Sequence, residues 1–490
     1  MHRRTGALAL TVAVAAIATG CGTTASTAGP TVLTVQVADD ASGAAYRALL
    51  GELDRQRRDL RIVVRELPAD EARGMILERI GRIGLADIVT IDASWLPELM
   101  LYSDQFASMP RATLGGEDEP RWPEWAVRTV TDTAGRVYAY PATTAPRALC
   151  YRTDLVEAAG LPADPEEFGA LAKDWATLLR TASTYTAATG APFLDSMTAT
   201  YDVMIDPVPA PYEKRATGEV VATTNPRVRA AFDRVTADPA VFARLEPGTA
   251  AWYAGAESGA FAASLCAAGT LEHAVGAPEP AAPDADAEDR EADAEPAPVP
   301  DEVAAGSGTL AALRDAGWEV AGAFPGGGAT SALSAFAIPG SGAHIDLARE
   351  VADWLTAPEQ QLAVFAAVGA FPTLAFETAG DDGTDADPAA SATPDAEATP
   401  DSPGDPETPA ADEPSPTATP VAETGPFGAP LAALLRERAA AIPAMRFRGP
   451  ETPEIDRLMA IALARVADGT DTPAAAWDRW AQAVTPSTAP

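Results

Sequence analysis

Histidine and cysteine are nearly absent from this chain of 490 residues, which has three of each. Their scarcity excludes a metal-rich centre and a disulfide-dense scaffold. Positive charge is also in short supply: 35 Lys and Arg face 70 Asp and Glu, for a net charge of −35. A protein of that sign is repelled by phosphate backbones, so nucleic acid is not an expected partner. Past the N-terminus no apolar run is long enough to cross a bilayer, which excludes an integral transporter. The sequence also lacks a Gly-x-Ser-x-Gly elbow, a His-Glu-x-x-His pair and a phosphate-binding Gly-x4-Gly-Lys loop. No metal, cofactor or catalytic residue is expected, and His273 and His344 are isolated residues. What is present is ordinary globular material, 47% hydrophobic, with room for two or three domains of about 100–200 residues.

The first 21 residues read as an export signal. His2, Arg3 and Arg4 give a basic start, Ala7–Ile17 an apolar stretch, and Ala18-Thr19-Gly20 leads into Cys21. Small residues directly before a cysteine resemble a bacterial lipobox. The resemblance implies cleavage before Cys21, diacylglycerol on its sulfur, and a protein held by acyl chains at the outer face of the cytoplasmic membrane. Residues 22–30, rich in Thr, Ser and Ala, read as a tether. With Cys21 lipidated, Cys150 and Cys266 remain as an even pair in an oxidising compartment. A bridge is expected if their Cα atoms lie within about 7 Å; two buried thiols are the alternative.

Residues 278–303 and 377–425 are built from Pro, Ala, Thr and acidic residues. They hold about 23 of the 70 acidic residues and one basic residue, Arg290. Both read as disordered insertions, because so little apolar surface cannot offset chain entropy. Elsewhere strands and helices alternate. Val32–Val37, Arg61–Leu67 and Asp87–Ile91 read as strands, with amphipathic helices over Ala44–Gln56, Asp70–Ile83 and Ser94–Met100. That order predicts a mainly parallel sheet with helices on both faces. Ala335–Ile338 reads as a further strand. Helices follow at Ile345–Thr356, Pro358–Val368, Pro430–Ala441, Pro453–Ala467 and Pro473–Val484.

Five segments, in order, resemble the extracellular solute-binding proteins of family 1, the maltose-binding-like type. Leu85–Leu99, with Asp92-Ala93-Ser94-Trp95 inside it, is similar to a strand and turn of that family. Tyr138–Pro141 with Ala148–Leu155 resembles its crossing into a second lobe, and Phe324–Gly328 with Ala335–Pro339 its return. Trp354–Gln361 with Gly369–Thr373, and Thr472–Trp477, resemble its later helices. Cys150–Leu155 (Cys-Tyr-Arg-Thr-Asp-Leu) and Gly259–Cys266 further resemble an actinobacterial-type branch of sugar-binding lipoproteins whose two cysteines are bridged. Only two lysines, Lys173 and Lys214, among 35 basic residues suggest a GC-rich genome, in keeping with that branch.

The resemblance implies an α/β, two-lobe, periplasmic-binding-protein-like fold of type II, hinge-connected. Lobe one is expected from 31–140 plus 329–376, and lobe two from 141–323 plus 426–490. The implied function is that of an extracytoplasmic solute-binding subunit of an ABC importer. It would take a carbohydrate, mono- or oligosaccharide, between the lobes and deliver it to the permease subunits, acting as a monomer anchored to the membrane through lipid. The same fold holding a non-sugar solute, or serving as a scaffold or sensor, is one alternative. An extracellular glycosidase, which requires two carboxylates about 5–9.5 Å apart, is another.

Ligands of open α/β sheets sit beyond the carboxyl ends of strands. Asp39 and Asp40, with Ser42, follow the first strand, and Asp92 and Trp95 follow the third. Carboxylates there accept sugar hydroxyls, and an indole covers an apolar sugar face. Each residue also has a plain structural use, as a helix cap or a core tryptophan. The resemblance adds Trp252 as a stacking ring with Tyr253 beside it, and Asp195 as an acceptor from lobe two. Thr143, Thr144 and Arg147 lie at the first crossing. Gly326–Gly328, at the second, suits either a turn or a close approach to ligand. Ala267–Gly269 and Ala329–Ala332 lack aromatic rings that the branch carries there, which leaves room for a smaller or different solute.

Overall fold

The computed structural model describes residues 29–116, 120–267, 317–375 and 428–484. The expected signal, Cys21, most of the tether and both acidic insertions lie outside the described residues. No helix among the described residues is long and apolar enough to cross a membrane.

Alternation builds the first lobe. In β1 (Thr31–Ala38), Leu33, Val35 and Val37 point to one face and are fully buried. They meet Tyr46, Leu50 and Leu53, the inward stripe of α1 (Ala41–Gln56), and Val351 and Leu355 of the helix Ile345–Leu355. The opposite face is covered by α2 (Ala69–Arg79) through Ile76, which joins the cluster containing Val89 and Ile91. Each fully buried aliphatic side chain contributes about 1.5–3 kcal/mol. The second helix stops at Arg79, short of the expected Ile83. Ile80 is extended and Gly81 takes a left-handed φ of 74°.

β1 runs parallel to both β2 (Leu60–Leu67) and β3 (Ile88–Asp92). Beyond β3 the sense changes. β8 (Thr330–Ala337) is antiparallel to β3, β4 (Ala139–Pro146) is antiparallel to β8, and short β9 (Phe371–Pro372) is antiparallel to β4. The sheet order is β2-β1-β3-β8-β4-β9, so the expected mainly parallel sheet is parallel only over its first three strands. The cause is the route of the chain. β4 and β8 lead out to the second lobe and back, without the helical crossover that forces strands into parallel pairing.

The second lobe has a small antiparallel sheet, β6 (Ala263–Ser264), β5 (Cys150–Arg152) and β7 (Trp318–Val320), with β5 central. Its core packs Tyr151, Phe168, Phe193, Tyr201 and Phe232 against Met459, Trp477 and Trp480 of the last two helices, Thr452–Ala467 and Pro473–Val484. Arg446, buried just before those helices, pairs with Asp456 at 2.9 Å and Asp206 at 3.2 Å and ties the returning chain to this lobe.

Cys150 of β5 and Cys266, two residues past β6, form a disulfide with Cα atoms 5.9 Å apart and a sequence separation of 116. Closing so long a loop restricts the unfolded chain far more than the folded one. Replacing both cysteines with serine is expected to lower the unfolding free energy by about 2–5 kcal/mol. Denaturant melts with and without reductant check this: reductant should shift the native protein and leave the double variant unmoved.

Candidate functional site

The carboxyl ends of β1, β2 and β3 open into a cleft of about 470 Å³. Its walls include Asp40, Ser42 and Gly43 after β1, Asp70 after β2, Asp92 at the end of β3, and Ser94 and Trp95 after it. Thr143 and Thr144 of β4 and Ser334 of β8 form the side toward the crossing strands. Six residues named from the sequence therefore meet here: Asp40, Ser42, Asp92, Trp95, Thr143 and Thr144.

Each has a structural contact as well as a place in the cleft wall. Asp40 is the N-cap of α1: one carboxylate oxygen accepts from Gly43 N at 2.8 Å and Ser42 Oγ at 2.7 Å. Gly43 has no substitute at this point, because a Cβ would lie 1.7 Å from the carbonyl oxygen of Ala38. The first turn of α1 rests directly on the end of β1. Asp92 caps the short 3-10 turn Ala93–Trp95 by accepting from Ser94 N at 2.7 Å. Trp95 is half-buried against the core beneath that turn. Thr144 Oγ1 lies 2.8 Å from Thr330 Oγ1 and donates to Ala332 O, while Thr143 Oγ1 lies 2.7 Å from Ser334 Oγ.

The residues 38–362 match the family model for bacterial extracellular solute-binding proteins. The chain belongs to that family. No curated protein matches it. Among solved structures, a protein described as extracellular solute-binding protein family 1 is similar at 23% identity with a TM-score of 0.69, covering 93% of this chain and 99% of its own. The sugar-binding protein MalE of Xanthomonas citri is similar at 15% identity with a TM-score of 0.63, covering 93% and 96%. The cyclic alpha-maltosyl-1,6-maltose binding protein of Arthrobacter globiformis follows at 17% identity with a TM-score of 0.61, covering 93% and 98%. These likenesses carry the fold, which is the hinge-connected two-lobe α/β fold.

Other residues singled out in the sequence of this solute-binding protein sit elsewhere. Asp39 is exposed beside the cleft, with its backbone N–H donating to Leu67 O. Arg147 reaches away, donating to Leu265 O at 2.9 Å. Trp252 is 2% exposed and packs on Phe261 and edge-on to Tyr253. Its indole N–H donates at 2.8 Å to Asp195, which also accepts from Ser264 Oγ at 2.6 Å and Ser196 N at 2.8 Å. Burial pushes the Asp195 carboxyl up, against the pull of these donors. In this conformation neither the Trp252 ring nor the Asp195 carboxyl opens to the cleft. Gly326 and Gly327 take left-handed φ values. A Cβ on Gly328 would lie 2.3 Å from Arg438 O, so the run seats the helix Gly428–Ala440.

The cleft also contains residues that belong to no sequence motif: Gln36, Asp70, Thr90, Tyr46 and Ser334. Two of them left signals. Gln36 interrupts the apolar strand Val-Leu-Thr-Val-Gln-Val, and Asp70 follows the second strand as Asp40 follows the first.

Asp195→Asn presents an amide N–H₂ where one of three donors needs an acceptor. It is expected to cost about 1–3 kcal/mol of stability and to leave solute affinity within twofold. Chemical denaturation and calorimetry, on the same variant, separate a structural role from a binding one.

Proposed function

We propose that this protein is the solute-binding subunit of an ATP-driven importer and takes a carbohydrate in the cleft at the ends of β1, β2 and β3. Its lobes divide near 31–140 plus 329–376 and 141–323 plus 426–490, and they close on the solute by rotation at the crossing strands. The closed form is the one the permease subunits accept. One observation carries the reading: the cleft wall combines carboxylates held in place as caps, a cluster of hydroxyls and one half-buried indole. Hydrogen-bond acceptors at fixed positions plus one aromatic face are what a polyhydroxylated ring requires.

A glycosidase reading is less well supported. It needs a carboxyl group held protonated near neutral pH. The family to which the chain belongs is one of solute-binding proteins, and that favours binding over hydrolysis.

Lipid on Cys21 would place this cleft at the outer face of the membrane. Cys21→Ala is expected to move the protein from the membrane fraction into the medium, as followed by fractionation and immunoblotting of whole cells. For the site itself, thermal shift and calorimetry against a panel of mono- and oligosaccharides are expected to find a stabilising sugar, since a ligand that binds only the folded state raises its melting temperature. Trp95→Ala should weaken that sugar by about tenfold, in line with the ~0.5–1.5 kcal/mol scale of aromatic contacts plus lost apolar area. A panel without any stabilising sugar would overturn the carbohydrate assignment.

A further inference from the structure

The charge of the cleft is unbalanced. Asp40, Asp70 and Asp92 line it together, and among the described residues no Lys, Arg or His does. Among the described residues none of the three takes part in an ion pair, although carboxylates just outside are neutralised: Glu66 by Arg47, and Glu98 by Arg73. Arginine is plentiful in this chain and sits within a few residues of the cleft, yet it is kept out of the wall. The bonds that Asp40 and Asp92 make as caps involve one oxygen each, from neutral donors. These caps leave each residue a second carboxylate oxygen.

A second observation, independent of the acids, points to a ligand. Gln36 lines the same cleft, is 1% exposed, and its amide nitrogen has no acceptor among the described residues. A buried donor without a partner is costly, and a solute oxygen would satisfy it. The occupant that completes this wall therefore offers oxygen acceptors to Gln36 and positive charge to the three carboxylates.

We propose that the cleft selects an amine-bearing sugar, a solute with hydroxyl groups and a protonated amino group, over neutral and anionic sugars. This rests on the cleft being the solute site proposed above. Opposite charge favours the ionised amine, a carboxylated sugar meets three like charges, and a neutral sugar gains hydrogen bonds alone.

The test is calorimetry on the full chain with paired probes near neutral pH and at low salt: chitobiose, its neutral N,N′-diacetyl counterpart, maltose, and glucuronate. Chitobiose is expected to bind at least tenfold more tightly than the diacetyl form, with the gap narrowing in high salt, and glucuronate is expected not to bind. Asp70→Asn and Asp92→Asn each keep a hydrogen-bonding oxygen and remove a charge. Each is expected to cut chitobiose affinity by about tenfold and maltose affinity by a clearly smaller factor, since only an acceptor oxygen is lost to a neutral sugar. Asp70 makes no capping bond, so its variant remains informative should the Asp92 variant fold poorly. Neutral sugars binding as tightly as chitobiose would overturn the charge selection and leave carbohydrate binding standing. No binding by any probe would remove both.

Discussion

Two strands carry both lobes, and their pairing is the constraint on which the rest depends. β4 and β8 pair from Ala139–Ala337 to Pro146–Thr330, with the register slipping on either side of Thr144. Such slips leave ladder groups without partners and sharpen the twist. Here hydroxyls fill the gap: Thr143 with Ser334, and Thr144 with Thr330, whose own hydroxyl also donates toward Ala145 O. The same irregularity that bends the strands out of the sheet therefore lines one side of the cleft with oxygen. Three of these four side chains, Thr143, Thr144 and Ser334, also line the cleft.

Bracing on the far side confines where the lobes can turn. Directly beyond β4, Arg147 bonds to Leu265 O and Cys150 is linked to Cys266, so the outgoing strand is fixed to lobe two within a few residues. On the return, Arg438 donates to the carbonyls of Gly327 and Gly322 and holds the helix Gly428–Ala440 against the glycine run. What lies between these anchors is short, and short element ends absorb most of a hinge rotation. The guanidinium of Arg215 additionally reaches across to the carbonyls of Arg128 and Thr131, at the C-terminal end of the helix Glu124–Thr129. A cation on helix carbonyls is favourable, so this contact adds a link between the two lobes in this conformation.

Much of this architecture was legible in the sequence because burial leaves a period. The stripes Tyr46-Leu50-Leu53 and Leu33-Val35-Val37 give element type and inward face directly. Strand direction leaves no such mark: a buried strand reads the same in either sense, and so the antiparallel half of the sheet was not apparent. At the site, strand-end position located Asp40, Asp92 and Trp95, since the sheet's twist and helices leave only that edge open. Position along the chain said nothing about orientation for Trp252 or Asp195. Both are polar or aromatic residues near the right turn, but they bond to each other inside lobe two. Gln36 was visible as an interruption in an apolar strand, and its meaning came only with its unsatisfied amide.

The structural and functional readings of Asp40 and Asp92 turn out not to compete. A carboxylate has two oxygens and about four acceptor positions, and an N-cap uses one or two of them. Capping fixes the side chain's torsions during folding, so under the proposed reading a solute would meet an acceptor whose rotamer entropy is already lost. The cost falls on α1 rather than on binding, and it is recovered there as a satisfied helix end. The close seat of Gly43 on Ala38 O extends the same logic to the backbone: with no Cβ to lift it, the first turn of α1 lies against β1, and the Asp40 carboxylate is positioned by the sheet itself. A capping residue at the end of a strand is thus a candidate binding residue because it is a cap, since rigidity is the property that the cap and the acceptor share.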